Sequence, residues 1–429
     1  MDANLERRAK LAWQGTGDIA LGTARIIRAL QALGHPERCM PPVVHVAGTN
    51  GKGSTIAFLR AMLRAGGYRV HAFTSPALFR AGEQIALHSG ALSDAALDAL
   101  ADEVETRAPD KLTPFETLTA CAFLAFAREG ADVTLLETGV GGRDDATNVV
   151  TRPALTILTP ISLDHADLLG ADITSIARIK AGILKTHVPA VIGPQSAEAL
   201  ANIEAAAANM DVALWRYGVE WLAFEQGGRM VFQDDSGLLD LPLPSLAGRH
   251  QIANAGTAIA ALRALAGLGL DDEAIECGLT GAIWPARLEP LTRGPLIETL
   301  PQGSEIWLDG AHNPQGAAAL AEFAADRAER AALPLVLVTA MMSDKDHAAF
   351  FAAFSGLAAR VLTLPLSAEP RAAAPDALAA AARSAGLDAT IVPDIATACS
   401  TLRDANSPAR VIFTGSLALA RVVGASNAP

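Results

Sequence analysis

The sequence predicts an α/β protein built on mostly parallel sheets in two domains, and three observations carry that prediction. Short β-branched runs alternate with longer alanine-rich segments of helical period, the rhythm of strand and helix layering. Hydrophobic residues fill 51% of the 429 positions and charged residues 19%, enough apolar material for sizeable cores and too much for wholesale disorder. Between Glu289 and Gly303, Pro290, Gly294, Pro295 and Pro301 interrupt every period, and a second α/β set follows. The expected domains are therefore 1–290 and 300–429.

Taken in order, 43–46 reads as a buried strand and 52–65 as the helix after it. The runs 70–73, 133–136, 155–158 and 190–192 are further strands, with helical stretches at 118–128 and 176–184 between them. From 212 to 241 the pattern turns short and Gly-punctuated, which predicts a small antiparallel addition. Residues 254–268 return to helix. In the second domain, 305–308, 335–339, 360–364, 390–392 and 410–414 read as strands with helices between them.

Lys and Arg number 34 against 46 Asp and Glu, a formal net charge of −12. Such a chain has no sequence-wide attraction for nucleic acid or anionic lipid, so neither is an expected partner and any polyanion needs a local site. Cys39, Cys121, Cys277 and Cys399 are widely spaced without a zinc pattern, which reads as buried reduced thiols. The first ten residues mix charges where a leader would be apolar, and no apolar run approaches the roughly 18 residues of a membrane span. A cytoplasmic protein is expected.

The strand at 43–46 runs into Gly48-Thr49-Asn50-Gly51-Lys52-Gly53-Ser54 and then into the helix. Strand, Gly-rich turn and helix bring backbone N–H groups toward a phosphate at the positive end of the helix. Lys52 adds a cation for the β and γ phosphates, and the Ser54 hydroxyl can meet a metal. This makes the first domain P-loop-type, although Val46 stands where the usual spacing has its first Gly and Gly53 intervenes before Ser54. The segment resembles the phosphate loop of the Mur-ligase-like amide ligases, and its extra glycine resembles the folylpolyglutamate synthase/dihydrofolate synthase branch.

Glu137 ends an apolar strand and precedes the Gly-rich 139–142, a suitable place for a carboxylate that holds Mg²⁺ beside a phosphate loop. Taken alone, a solvated strand end is the alternative, which the following glycines weaken because they let backbone approach a ligand. His165 and Lys180 follow in order; singly, each reads as a structural residue. The resemblance implies that His165 binds metal, that Lys180 is carbamylated near a second metal, and that Ser75, in Thr74-Ser75-Pro76, is a metal ligand with Ser54 and Glu137. It further implies that Thr49, Asn50, Gly51, Lys52, Gly53, Ser54, Asn254, Arg287 and Asp309 contact ATP. Asp309-Gly310-Ala311-His312-Asn313-Pro314 resembles the family's D-x-A-H-N-P signature, with Asp309 and His312 in catalysis alongside Lys52 and Lys180. The second domain is then a smaller Rossmann-like α/β unit.

For substrate, Asp18, Ile19, Ala20 and Leu21, then Thr113, Phe115 and Glu116, then Asp144, Asp145 and Ala146 resemble three segments that hold a pterin. Phe115 offers a stacking face and Asp145 a carboxylate for ring donors; on residue type alone, a core Phe and a loop Asp remain open. Ala77 and Gln84 depart from the family's His and Arg in the loop expected over the ring. The implied activity is ATP-dependent amide formation between L-glutamate and dihydropteroate, with extension of reduced folates, through an acyl phosphate and two Mg²⁺, in a monomer. A dedicated folylpolyglutamate synthase is the alternative. A cell-wall ligase would need a UDP-sugar domain, for which the 47 residues before Gly48 are too few. A P-loop switch would not need the 309–314 element, and a dinucleotide-binding dehydrogenase would need G-x-G-x-x-G.

Overall fold

The computed structural model describes residues 3–12, 20–265 and 267–427. Asp18 and Ile19 lie outside them. The chain divides into two compact units, 1–245 with 251–283, and 246–250 with 284–429.

In the first unit eight strands form one sheet: β1 Val43–Ala47, β2 Val70–Phe73, β3 Ile85–Leu87, β4 Gly90–Ala91, β5 Val133–Glu137, β6 Leu155–Leu158, β7 Ala190–Ile192 and β8 Leu214–Arg216, in the order β4-β3-β2-β5-β1-β6-β7-β8. From β2 to β8 all neighbours run parallel. β1 and β5 are buried along their full length, as continuous apolar strands covered on both faces should be. Val46 of β1 stands opposite Glu137 of β5, so the loops leaving both strands emerge side by side. That is where ligands collect on open parallel sheets. One core cluster gathers Phe73, Leu118, Phe123 and Phe126 on one flank, and another gathers Leu158, Ile176, Ile183 and Ile203.

Several expectations shift. Of the four cysteines expected to be buried, Cys121 and Cys399 are, whereas Cys39 and Cys277 are exposed. The helix expected at 118–128 starts at Pro114, because Thr113 and Glu116 form a capping box and Pro114 fits the first turn. Its counterpart at 176–184 is a helix Ile173–Lys180 followed by a single 3₁₀ turn, Ala181–Ile183. The segment 212–241 divides: β8 joins the large sheet, and only β9 Trp221–Gln226, β10 Arg229–Asp234 and β11 Gly237–Leu241 form the antiparallel addition. The helix expected at 254–268 spans His250–Ala264, so Asn254 sits inside it.

The second unit holds β12 Glu289–Pro290, β13 Glu305–Leu308, β14 Leu335–Thr339, β15 Ala358–Thr363, β16 Ala389–Ile391 and β17 Arg410–Thr414, in the order β12-β13-β17-β14-β15-β16. All pairs are parallel except β12 with β13. The Pro/Gly-rich 289–303 lies within the second unit. β12 pairs with β13, and the short helix Pro295–Thr299 is tied to Asn427, whose side chain accepts from the Leu296 amide at 3.2 Å and donates to the Arg293 carbonyl at 2.9 Å. The division falls earlier, after 283.

Candidate active site

The loop after β1 is set by its backbone. Gly51 has φ +85°, and a Cβ there would run into the Asn254 side chain, so only glycine fits both the turn and the contact. The amides of Thr49 and Asn50 donate to the Pro160 carbonyl at 2.9 and 3.2 Å, and Thr49 Oγ1 accepts from the Ser162 amide at 3.0 Å. The loop is thus fastened to the segment leading to His165. The helix Lys52–Ala65 begins without a side-chain cap at Gly51, and its first bond runs from Thr55 N to Gly51 O at 2.8 Å. The amides of Lys52, Gly53 and Ser54 precede that bond and face the open end of a 14-residue helix, where an anion is stabilised.

Two amines converge on this loop. Lys52 Nζ donates to the carbonyls of Gly48 and Thr49, both at 3.3 Å, and stands 3.8 Å from Glu137 Oε1. Lys180 Nζ donates to the same Gly48 carbonyl at 2.8 Å. Burial, reinforced by the Lys52 charge, pushes the Lys180 amine down to about 7, against the opposing pull of Asp164 and Asp145. Glu137 Oε2 accepts from the Ser75 amide at 3.2 Å. Behind the loop, Asn254 donates to Gln251 at 2.9 Å and Gln251 to Ser54 Oγ at 3.4 Å, all three buried.

Among the described residues no group of three or more His, Cys, Asp or Glu forms a metal cage. The donors beside the loop, the Glu137 carboxylate with Ser54 and Ser75, are hard oxygens. Mg²⁺ is ordinarily held by one or two carboxylates together with water and substrate phosphates, so this set fits that ion without a cage. His165 stands in a left-handed turn at φ 50° and its amide bonds Asp164 at 2.9 Å.

In the same unit Ala20, Leu21, Gly22, Thr113, Phe115, Glu116, Gly139, Val140, Asp144, Asp145 and Ala146 line one cleft. The three segments singled out from sequence thus lie together, Asp18 and Ile19 aside. Phe115 packs on Phe73 with ring centroids 5.8 Å apart, and a Cβ at position 139 would strike its ring.

Two carboxylates have jobs that sequence did not reveal. Glu116 accepts from the Thr113 amide at 2.8 Å and pairs with Arg25 at 3.0 Å, while Arg25 also donates to the Ala20 carbonyl at 2.8 Å. Glu116 therefore joins two cleft walls instead of facing the cleft as a free acid. Asp145, expected to meet ring donors, is 3% exposed and already accepts from Val140 N at 2.9 Å, Thr147 N at 3.0 Å and Thr147 Oγ1 at 2.6 Å. A carboxylate has about four acceptor sites, so Asp145 first holds its own loop. Burial raises its pKa against the pull of these donors. Asp144 is the more exposed neighbour, paired with Arg143 at 3.0 Å. Arg25, Gln251 and Thr147 carry no motif, and the one sequence signal for Arg25 is its place next to the Ala20 segment.

In the second unit Asp309 follows the last residue of β13, buried, and accepts from Leu288 N at 2.8 Å and Ala311 N at 2.7 Å. Leu288 has φ 48° and Ala286 φ 54°, so the carboxylate braces a strained turn that carries Arg287. Burial raises the Asp309 pKa and the nearby Arg287 charge opposes it. His312 Nδ1 lies 2.8 Å from the Gly310 carbonyl, and Asn313 caps the helix Pro314–Arg330 through the Gly316 amide.

Comparisons with known proteins bear on the fold and the family. Residues 46–262 match the Mur ligase middle domain and 293–417 the Mur ligase glutamate ligase domain. The Bacillus subtilis dihydrofolate synthase/folylpolyglutamate synthase is 38% identical over 317 residues, covering 70% of this chain and 71% of that one. The structure of E. coli FolC in complex with DHPP and ADP superposes with a TM-score of 0.86 at 32% identity, covering 98% of this chain and 97% of that one. That of the Yersinia pestis bifunctional enzyme with AMPPNP and Mn gives 0.85 at 34%, covering 97% and 96%. The chain belongs to the folylpolyglutamate synthase/dihydrofolate synthase family of Mur-type ligases.

Proposed function

We propose that this chain joins L-glutamate to dihydropteroate and also extends reduced folates with glutamate, using ATP, as a monomer in the cytoplasm. The observation that carries the reading is the pair of amines, Lys52 and Lys180, held on the Gly48 carbonyl at 3.3 and 2.8 Å in the unit that also carries the Phe115 cleft. A substrate carboxylate oxygen attacks the γ-phosphorus of ATP, ADP leaves, and the acyl phosphate forms. The glutamate nitrogen then attacks the acyl carbon, the C–O bond to phosphate breaks, and the nitrogen gives up a proton. The helix amides from Lys52 to Ser54 and the Lys52 ammonium hold the phosphates and oppose their growing charge. Glu137, Ser54, Ser75 and His165 would hold Mg²⁺, which neutralises phosphate charge when bound.

Lys180 is assigned carbamylation. A buried amine titrating near 7 presents its unprotonated nitrogen to CO₂ at neutral pH, and the product is an anion suited to a cationic surrounding. The Phe115 face takes the ring. L-Glutamate is assigned to the second unit, whose match is described as a glutamate ligase domain, with His312 and Asp309 meeting it. The test incubates the protein with ATP, Mg²⁺, L-glutamate and either dihydropteroate or a reduced folate and weighs the products. One added glutamate in both reactions is expected. Addition to reduced folate alone would make the chain a dedicated polyglutamate synthase, and no addition in either would overturn the assignment.

A further inference from the structure

Behind the cleft lies a buried histidine that this chemistry does not use. His45, in the middle of β1, is fully buried, and its Nε2 stands 2.8 Å from Thr147 Oγ1. The Thr147 hydroxyl donates to Asp145 Oδ1 at 2.6 Å. That hydroxyl has one proton, and with Asp145 ionised it goes to the carboxylate, so toward His45 the hydroxyl accepts. This arrangement calls for the ring tautomer protonated on Nε2. His45 Nδ1 is buried without a hydrogen-bond partner in the structure, which agrees with a bare ring nitrogen on that side. Burial, with help from the Lys185 charge, pushes the ring down to about 3, so it donates as a neutral imidazole.

The line of bonds continues outward. Asp145 Oδ1 also takes the Thr147 amide and Oδ2 takes the Val140 amide, at 3.0 and 2.9 Å. Val140, Asp145 and Ala146 line the same cleft as Phe115. A rigid strand at the centre of the sheet is thus wired by two side-chain hydrogen bonds to the backbone that shapes the cleft. We propose that His45 and Thr147 are positioning residues for the ring-bearing substrate, setting through Asp145 the wall against which the ring is held. This rests on the reading of the Phe115 cleft as the ring site.

The test compares wild type with Thr147→Val, Thr147→Ser and His45→Gln, measuring KM for dihydropteroate and for ATP, kcat and melting temperature. Thr147→Val keeps the volume but strands the His45 N–H and one Asp145 lone pair. It is expected to raise the dihydropteroate KM about five- to thirty-fold and to leave the ATP KM within about twofold. Thr147→Ser, which restores the hydroxyl, should recover most of the loss, and His45→Gln, which keeps an N–H, should lie between. An unchanged dihydropteroate KM, or equal rises for both substrates, would overturn the relay. Should the variants fail to fold, ¹⁵N spectra of the wild-type imidazoles decide: a neutral ring protonated on Nε2 supports the relay, and one protonated on Nδ1 overturns it. Should wild type ignore dihydropteroate, the proposed function fails separately. The relay is then judged by amide exchange at Val140, which Thr147→Val should speed if the relay holds and leave unchanged if it does not.

Discussion

The phosphate loop and the aromatic cleft grow from the same sheet, yet different parts of the chain hold them. The loop is held at its own main chain: its Thr49 and Asn50 amides bond the Pro160 carbonyl, its Gly48 carbonyl takes two lysines, and its Gly51 backbone lies against Asn254. The cleft is fixed by side chains: Glu116 to Arg25, and Asp145 to Thr147 to His45. A site that presents backbone amides must admit close approach, and that demand writes glycines into the sequence. A site braced by hydrogen bonds among ordinary residues leaves no such mark. The two should also fail differently, the loop through lost charge with the fold intact and the cleft through lost shape.

The largest effect is expected at the loop. Lys52→Ala removes a cation whose partners are two carbonyls and a carboxylate at its own loop, so no core contact goes with it. Ligation should fall about 10³-fold with little change in the thermal melt, measured by product formation and circular dichroism. Near-normal turnover in a folded variant would break the comparison on its loop side.

Lys180 sharpens it, because this lysine serves the loop from a buried place. Folded, its amine titrates near 7; unfolded, near ~10.4. Between those values the unfolded chain binds the extra proton, so stability rises with pH. The cost of burying the charge is complete below about 7 and gone above the unfolded value. Lys180→Met, in metal-free and CO₂-free buffer, should therefore be more stable than wild type by a margin that is widest at pH 6 and narrow at pH 10, read by urea denaturation. A margin independent of pH would show that the amine does not titrate as its burial demands. Lys180→Ala, which leaves the space of the side chain empty, should lower activity by about 10–100-fold and recover in part with short carboxylic acids.

What was legible follows the same division. The strands at 70–73, 155–158, 190–192, 305–308, 335–339 and 410–414 stand where their apolar runs put them, since a run covered on both faces leaves no ambiguity of period. β3 and β4 span three and two residues, too short for any period to register. The prolines at 290 and 295 read as a domain boundary and instead mark a short edge strand and the first turn of a helix, places where a missing N–H costs little. The three cleft segments could be picked out, but residue type alone could not tell that Asp145 would be buried and tied to its own loop by three hydrogen bonds while Asp144 stayed more exposed. That depends on which way a turn rotates, and the rotation is set by Thr147 and His45, 102 residues apart.

The smallest effect belongs to the cleft, at Phe115. Its ring is half-buried and packs on Phe73 at 5.8 Å, so Phe115→Ala removes a stacking face while Asp145, Thr147 and the capping box at Thr113 keep the wall in place. Stacking beyond area burial is worth roughly 0.5–1.5 kcal/mol, about two- to twelve-fold in affinity. The loss should appear in the dihydropteroate KM, with the ATP KM unmoved, because no bond of the phosphate loop passes through this ring. It should be smaller in the extension of reduced folates, where only dihydropteroate is assigned to this face. Equal losses in both reactions would mean that the two substrates share the cleft. An equal loss for ATP would mean that Phe115 supports the sheet as a whole, and the separation between a main-chain loop and a side-chain cleft would then be wrong.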